Sequence, residues 1–288
     1  MRYPLGFTMA QFQHRTRMQR SGQRRFPTVL MLEPLYTCNL ACIGCETERH
    51  TGKLADRVPV DRLLKAVDDC GTPIINLCGG EPTLYPELKE LIDALIARGK
   101  YIICCTNALK LEQKVFDIIP PHKQFFLMIH LDGMKKTHDF VTNRPGVFDH
   151  AVEMIRQAKK RGYVVMVNTT VYKETEVAEV EELCQLSAEM KTDGLLVSPG
   201  YEYQSVERDV FLTEEQMNEK FRAIIGFAAR YKINVTPYFL EFAAGLRQLP
   251  CAPWSTVNYT PSGWKAPCYL VGETVSYTHL TLPTILRV

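Results

Sequence analysis

The sequence lacks any run of about 18 consecutive apolar residues, the length that a membrane-spanning helix requires. Its start, Met1-Arg2-Tyr3-Pro4, also lacks the apolar core of a signal peptide. We therefore expect a cytoplasmic protein whose ten cysteines are reduced or bound to iron rather than paired in disulfides. With 46% hydrophobic and 23% charged residues, the chain can bury a substantial core and has no disordered character overall.

Acidic residues are missing from the start of the chain, where six arginines precede the first of them, Glu33. Two alternatives remain open for this basic arm, residues 1–25, in which Phe7 and Phe12 are interleaved with the arginines. The arm is either an amphipathic helix on an anionic membrane surface or a solvated helix packed on the domain. No second basic face or recognition motif accompanies it, so we expect no nucleic-acid partner.

The pattern C-x3-C-x2-C, formed by Cys38, Cys42 and Cys45, follows an apolar, strand-like stretch. Three thiolates on one short loop can hold three irons of a [4Fe-4S] cluster and leave one iron open to a substrate or cofactor. The alternative is a structural zinc site closed by His50. Zinc sites usually bring two ligand pairs from separate turns, and no second C-x-x-C follows here, so the spacing favours the iron–sulfur cluster.

A second motif, Gly79-Gly80-Glu81-Pro82, ends the apolar run Ile74-Ile75-Asn76-Leu77-Cys78. The two glycines let the backbone approach a ligand closely, and the Glu81 side chain can accept a hydrogen bond from an ammonium group. Alone, such a string is typical of an ordinary strand-to-helix turn. Beside the cysteine triplet, it predicts a cofactor-binding site at Gly79, Gly80 and Glu81.

Together the two motifs resemble the radical S-adenosylmethionine (SAM) superfamily. The resemblance implies that the open iron chelates the amino and carboxylate groups of SAM. It also implies that the reduced cluster passes an electron to the sulfonium, which breaks a C–S bond and releases methionine and a 5′-deoxyadenosyl radical. The cofactor supplies this difficult step, while the protein supplies orientation and excludes competing reactions.

Apolar β-rich runs alternate with amphipathic segments along the chain. Six consecutive βα units indicate a parallel sheet with helices on its outside. Periodicity alone leaves an open doubly wound sheet and a curved barrel as alternatives, and the resemblance favours a partial (β/α)6 TIM-like barrel over residues 26–232, with a short C-terminal extension over 233–274. The predicted strands are Val29 to Glu33, Ile74 to Cys78, Tyr101 to Cys105, Phe125 to His130, Val164 to Thr170 and Gly194 to Ser198. The predicted helices are Val60 to Asp69, Pro86 to Ala97, Lys110 to Ile118, Val147 to Lys160, Val177 to Met190 and Glu214 to Tyr231.

Polar side chains follow the predicted strand ends, where barrel enzymes place their chemistry. We expect Asn107, Asn168, Ser198 and Tyr201 to contact SAM. For the two asparagines the alternative is turn capping, a common use of this residue.

Cys105 is the predicted catalytic residue. A carbon radical formed by addition must be reduced, and a thiol is a good source of a hydrogen atom. The alternative is a buried core cysteine. Because side chains alternate along a strand, Cys104 should face the opposite side.

Longer stretches of the chain, from about Arg24 to Glu273, resemble the adenosyl-hopene transferases of bacterial hopanoid biosynthesis. This resemblance implies that the radical adds through its 5′ carbon to the alkene of a hopene such as diploptene, and that the resulting radical is reduced to adenosylhopane. SAM is then a consumed co-substrate, a flavodoxin or ferredoxin-type donor feeds the cluster, and the basic arm contacts the membrane that holds the triterpene. The matching stretches are Arg25-Phe26-Pro27, Leu30 to Tyr36, Gly79 to Pro82, Cys105 to Leu109, His130 to Gly133, Val197 to Tyr203, Gly263-Trp264 and Pro267 to Leu270.

The chain departs from that family near its end. The family continues into an extension with further cysteines, whereas only Cys251 and Cys268 follow the barrel here. We expect residues 275–288 to be a non-native tail on a truncated chain, and we expect no second cluster. Two other functions remain open: a different radical SAM reaction, such as hydrogen abstraction in peptide or cofactor maturation, and a noncatalytic metal-binding module.

Overall fold

The computed structural model describes residues 4–45, 48–200, 206, 209–231 and 237–265. Eight strands in this part of the chain form one sheet in the order β6-β5-β4-β3-β2-β1-β7-β8. The strands are β1 Val29–Leu32, β2 Ile74–Leu77, β3 Tyr101–Thr106, β4 Phe125–His130, β5 Val164–Val171, β6 Gly194–Pro199, β7 Thr256–Thr260 and β8 Gly263–Trp264. Strands β1 to β6 pair in parallel with their sequence neighbours, which confirms the six predicted strands and their order.

Helices connect these strands and cover the outer face of the sheet, except for the first helix, which precedes β1 and packs at one end of the inner face. They are α1 Leu5–Arg20, α2 Glu48–Thr51, α3 Val60–Cys70, α4 Leu88–Ala97, α5 Lys135–Val141, α6 Val147–Lys160, α7 Val177–Glu189, α8 Glu214–Tyr231 and α9 Pro237–Ala243. Helix α3 shows why they form, since Val60, Leu63, Val67 and Cys70 recur on one buried face. Gly71 then ends the helix at φ +69°, a left-handed conformation that glycine adopts without strain.

The main core lies between the helices and the outward-facing side chains of the strands. Leu30, Leu77, Cys104 and Val165 belong to it, and each is fully buried. Cys104 therefore faces away from the inner surface, as alternation predicted. Cys70, Cys78 and Cys184 are buried as well.

A smaller apolar cluster fills the inner face of the curved sheet near its amino-terminal end. It contains Ile74, Ile103, Phe126 and Met166 from four strands, together with Phe7 from α1. The Phe7 ring packs edge-on against Tyr101, with 5.5 Å between ring centroids. Helix α1 therefore closes this end of the barrel, which supports the packed-helix alternative for the basic arm.

Two features of the fold differ from the predictions. The segment Lys110 to Ile118 forms a short π-helical turn, Glu112–Phe116, rather than a full helix, and Pro120 follows soon after it. Strand β7 comes from the stretch predicted to be an extension, yet it pairs in parallel with β1 and widens the barrel sheet. Its five residues alternate polar and apolar side chains, which is a strand signal, but the run is short and lies outside the six predicted strands. Residues 266–274 of the extension and the tail 275–288 lie outside the described residues.

No helix of the described residues is long and apolar enough to cross a membrane.

Candidate functional site

The predicted site residues of the cysteine and Gly-Gly-Glu motifs come together beyond the carboxyl ends of β1, β2 and β3. In parallel strands these ends share one edge of the sheet, so residues far apart in sequence become neighbours. Cys38, Cys42 and Cys45 lie on the loop after β1, and Gly79, Gly80 and Glu81 lie on the loop after β2. We call these the cysteine loop, residues 36–45, and the Gly-Gly-Glu loop, residues 78–82.

Backbone hydrogen bonds join the two loops past the ends of their strands. The N–H of Gly80 donates to the carbonyl of Leu35 over 2.9 Å, and the N–H of Glu81 donates to the carbonyl of Thr37 over 2.9 Å. A Cβ atom on Gly80 would lie 2.1 Å from the Thr37 carbonyl oxygen, and one on Gly79 would lie 2.5 Å from that of Leu35. The glycines are therefore required for the approach of one loop to the other, and their predicted contact with the cofactor stays a prediction.

The Glu81 carboxylate holds the Gly-Gly-Glu loop against the end of β3. Its Oε1 accepts from the Thr83 N–H (3.0 Å), the Thr83 hydroxyl (2.6 Å) and the Thr106 hydroxyl (2.7 Å). Its Oε2 accepts from the Asn107 N–H over 2.9 Å. The side chain is 2% exposed, so these four bonds account for its position. The contact of Glu81 with the SAM ammonium stays a prediction, and the geometry shows its carboxylate holding the Gly-Gly-Glu loop against β3, while its N–H bonds to the cysteine loop.

Asn107 links the end of β3 to the cysteine loop. Its Oδ1 accepts from the Leu109 N–H over 3.0 Å, which is the turn-capping alternative. Its Nδ2 donates to Asn39 Oδ1 over 2.7 Å and lies 4.0 Å from Cys38 Sγ. Asn107 is thus within reach of the cysteines as well as being a cap, and its predicted contact with SAM stays a prediction.

The cysteine loop is also anchored from its other side. The N–H of Ile43 donates to the carbonyl of Val141 at the end of α5 over 2.9 Å. Ile43 packs with Val141, Tyr172 and Phe211 in a separate buried cluster. A Cβ atom on Gly44 would lie 2.5 Å from the Tyr172 hydroxyl oxygen, so a larger residue here would have to displace the Tyr172 ring. These contacts fix the loop between the barrel edge and the segment after β5.

The three thiols of the loop are partly buried and form no disulfide within the part of the chain that the structure describes. Burial raises the pKa of Cys38 to about 12, with the charges of Glu81 and Cys45 adding to the increase. Burial also raises the pKa of Cys42 well above its usual value, and Cys45, Asp132 and Cys38 contribute. The Leu40 N–H donates to Cys38 Sγ over 3.4 Å. Thiolates at these positions need a cation to offset their burial and mutual repulsion.

The donor set of the loop suits an iron–sulfur cluster. Among the described residues, no three His, Cys, Asp or Glu side chains converge on the position of a single ion. A cluster is held differently, because each cysteine binds a separate iron. Three neighbouring thiols with an N–H donor on one sulfur match that requirement better than they match zinc. The three-cysteine ligation itself remains a proposal.

Cys105 faces the inner surface of the barrel, below the cysteine loop. It packs beside the inner cluster, and its thiol donates to Asn76 Oδ1 over 3.0 Å. Burial raises the pKa of Cys105 to about 12, and the charge of Glu81 adds to the increase, while the bond to Asn76 opposes it. The thiol therefore keeps its proton at neutral pH. This is the state that a hydrogen-atom donor needs, and the catalytic role stays a prediction.

The remaining predicted contacts lie on later strands of the same edge. The Asn168 carboxamide nitrogen is 3.3 Å from His130 Nδ1 on the neighbouring strand, and the two residues are register partners. Ser198 is paired in register with Thr170 and is partly exposed at the mouth. Tyr201 lies outside the described residues. The contacts of all three with SAM stay predictions.

Sequence reasoning missed the side chains that support the site. Asn39 and Thr106 hold Asn107 and Glu81, and Asn76 holds the Cys105 thiol while its Nδ2 lies 3.2 Å from Met31 Sδ. Asn76 carried a usable signal, because it stands at an inward-facing position of a strand that is otherwise apolar. Asn39 had no such signal, since its role depends on a partner 68 residues away.

The fold and the site define a partial-barrel protein with a three-cysteine loop at the edge where such barrels carry out chemistry. The family model described as Radical SAM superfamily matches residues 32–187, more than half of the chain, and the chain belongs to this superfamily. Membership implies a [4Fe-4S] cluster and SAM. A second model, described as Domain of unknown function (DUF3463), matches residues 195–284.

Curated relatives resemble this chain at low identity. An Fe-coproporphyrin III synthase from Methanosarcina barkeri is 24% identical over 186 residues, which are 62% of this chain and 46% of that protein. The antilisterial bacteriocin subtilosin biosynthesis protein AlbA from Bacillus subtilis is 23% identical in an alignment of 270 positions that covers 87% of this chain and 57% of that protein. The chain spans about half the length of these relatives.

A solved structure has the same fold. Streptococcus suis SuiB bound to precursor peptide SuiA superposes with a TM-score of 0.73 at 17% identity, covering 91% of this chain and 64% of that one. This likeness confirms the predicted α/β partial barrel. The resemblance to adenosyl-hopene transferases receives no support from these relatives, whose names refer to porphyrin and peptide products.

Proposed function

We propose that the chain is a radical SAM enzyme whose Cys38, Cys42 and Cys45 hold a [4Fe-4S] cluster. The observation that carries this proposal is the joining of the cysteine loop to the Gly-Gly-Glu loop by the Gly80 and Glu81 N–H groups. When bound, the cluster and SAM supply one-electron cleavage of a C–S bond, giving methionine and a 5′-deoxyadenosyl radical. A flavodoxin or ferredoxin-type protein is the proposed electron donor.

The chain's own residues position the reactants for this step. Glu81 fixes both loops relative to β3, and Asn107 and Asn39 bridge β3 to the cysteine loop. Helix α1 closes the opposite end of the barrel through Phe7, so the inner surface opens at the carboxyl edge. A substrate that enters there would pass the cysteine loop and the Gly-Gly-Glu loop, the residues that would hold the cluster and SAM, before it reaches Cys105.

The proposed acceptor is a peptide or a cofactor precursor, from which the radical abstracts a hydrogen atom. The supporting observation is that AlbA, which matches 87% of this chain, is named for bacteriocin biosynthesis, and that the other curated relative is named for porphyrin synthesis. Hydrogen abstraction releases free 5′-deoxyadenosine.

A second candidate, adenosyl transfer to a hopene such as diploptene, is favoured by the protonated thiol of Cys105 on the inner face. In this reaction the 5′ carbon forms a bond to the alkene, and the resulting carbon radical takes the hydrogen atom of the Cys105 thiol. One electron from the same donor and one proton from solvent then restore the thiol. The outer side of α1 supports contact with a lipid surface, because Leu5 is 78% exposed and Phe12 is 63% exposed beside Arg15.

The proposal is tested by anaerobic incubation of the reconstituted protein with SAM and dithionite, followed by mass spectrometry. We expect methionine and 5′-deoxyadenosine from the unmodified chain and neither product from Cys42→Ala. Cys251→Ser is the matched control, because Cys251 is an exposed free cysteine away from the loop. Normal cleavage by Cys42→Ala would refute the three-cysteine site.

The acceptor is tested by adding diploptene to the same reaction. A nucleoside joined to the triterpene establishes the second candidate. Free 5′-deoxyadenosine alone, with unchanged diploptene, removes it and leaves hydrogen abstraction. In both cases the iron and sulfide content of each sample shows whether the cluster has formed.

A further inference from the structure

An inward-facing asparagine on β7 lies outside the site described above. Asn258 is the register partner of Met31 on β1, and the flanking pairs Leu30–Val257 and Leu32–Tyr259 belong to the outer core. Because side chains alternate along a strand, Asn258 and Met31 share the inner face of the barrel.

The carboxamide of Asn258 is buried without any hydrogen bond. The residue is 2% exposed, and neither Nδ2 nor Oδ1 has a partner among the described residues. A buried amide left unpaired costs roughly 1–3 kcal/mol on the scale of protein mutations. Such groups are rare in native proteins, and each one calls for an explanation such as a ligand.

Neighbouring polar side chains on the inner face do have partners. Asn76 accepts from Cys105, and the Thr260 hydroxyl, two residues along β7, donates to the Gly263 carbonyl over 3.2 Å. An apolar residue of similar size would fill the Asn258 position without the cost of an unpaired amide. The polar group at this position therefore has no role in the internal bonding of the described barrel.

We propose that Asn258 is a ligand-binding residue whose carboxamide takes an amide-type edge, a donor and an acceptor side by side. A carboxamide presents one acceptor and one NH2 donor group in a plane, so it pairs with a peptide unit or with the edge of an adenine. This inference rests on the proposed function, because the two sources of such an edge are an acceptor with amide groups and SAM itself. A saturated triterpene skeleton offers no such edge.

The test measures binding rather than turnover, so it is independent of SAM cleavage. The reconstituted full chain, both unmodified and as the Asn258→Leu variant, is titrated with two probes, adenosine and N-acetylglycinamide. We expect Asn258→Leu to lower the affinity for one of the two probes by about tenfold, which is the equivalent of two lost hydrogen bonds. We also expect the ligand-free variant to unfold at a higher temperature, because an unpaired amide has been removed.

Thr260→Val is the matched control, since it alters the same inner face of β7 and should leave both affinities unchanged. If the variant binds adenosine more weakly, Asn258 binds SAM. If it binds N-acetylglycinamide more weakly, Asn258 binds the acceptor. Unchanged binding of both probes by Asn258→Leu, or failure of the unmodified protein to bind either, overturns the proposal. A lower unfolding temperature for Asn258→Leu also overturns it, because the amide then has an internal structural role. If the unmodified protein does not cleave SAM but still binds a probe in a way that depends on Asn258, the result counts against the proposed function and not against this inference.

Discussion

Replacement of Glu81 by glutamine tests whether this side chain positions the loops or binds SAM. In the structure, Oε1 accepts three hydrogen bonds from Thr83 and Thr106, and Oε2 accepts one from the Asn107 N–H. Glutamine keeps the shape but replaces one oxygen by an NH2 donor. If its oxygen takes the Oε1 position, the NH2 group faces the Asn107 N–H, and two donors meet.

The magnitude follows from the bonds that are lost. A buried donor left unsatisfied costs roughly 1–3 kcal/mol, and bonds to a neutral oxygen are weaker than bonds to a carboxylate. The opposite orientation of the amide costs more, because its NH2 group then faces the Thr83 N–H and the Thr83 and Thr106 hydroxyls, which lose their acceptor. Since Glu81 is 2% exposed, water cannot replace the missing partner. We therefore expect Glu81→Gln to lower the free energy of unfolding by about 2–4 kcal/mol.

The assay is urea unfolding of the cluster-free chain, followed by the fluorescence of its two tryptophans. Glu87→Gln is the matched control, because the Glu87–Arg57 pair is partly exposed, with 30% and 35% of the side chains accessible. It should shift the midpoint much less than Glu81→Gln does. A Glu81→Gln variant with the midpoint of the unmodified chain but weakened SAM binding would refute the positioning role and establish direct contact with SAM.

Three further predictions use paired variants or a pH series. Gly80→Ala should prevent cluster incorporation, measured as bound iron, because the added Cβ would lie 2.1 Å from a carbonyl oxygen. In the control Gly226→Ala the added Cβ meets no atom within 4 Å, so this variant should stabilise α8 by roughly 0.5–1 kcal/mol. Phe7→Ala should lower the free energy of unfolding by about 3 kcal/mol or more, because Phe7 is 3% exposed, whereas Phe12→Ala, at 63% exposure, should leave it nearly unchanged. The rate at which iodoacetamide alkylates Cys105 should still rise about tenfold per pH unit between pH 7 and 9, because only the thiolate reacts and the pKa of Cys105 is about 12. A plateau in that rate below pH 9 would contradict the buried, protonated thiol.

The fold was predictable wherever the chain repeats one local pattern. The runs that form β2 and β4 are short, apolar and bounded by turns, and the segment of α6 has a clear helical period, so their order predicted a parallel sheet. Strand β7 was not predictable in this way, because its pairing with β1 joins residues more than 200 positions apart. Asn258 lies on the inner face of the barrel, and this position follows from the pairing of β7 with β1.

The site was predictable as a set of residue types, and its internal roles were not. Three cysteines at fixed spacing indicate a cluster from chemistry alone, because few other groups need three thiols on one loop. The roles of Glu81 and Gly80 depend on which atoms lie opposite them, and those atoms belong to other strands. The sequence therefore indicated ligand contact for residues whose described contacts are with the protein.

The two family matches divide the barrel at the start of β6. Residues 32–187 contain the cysteine loop, the Gly-Gly-Glu loop and Cys105, which together account for SAM cleavage in the proposed function. Residues 195–284 contribute β7 and Asn258 to the same inner face. Strand β7 pairs directly with β1, the strand that leads into the cysteine loop, so a group bound at Asn258 lies next to the strand that leads to the proposed cluster site. If Asn258 takes the acceptor, changes to the inner face of β7 should alter which acceptor is used, while SAM cleavage without an acceptor is retained. If Asn258 takes SAM, the same changes should weaken SAM cleavage itself.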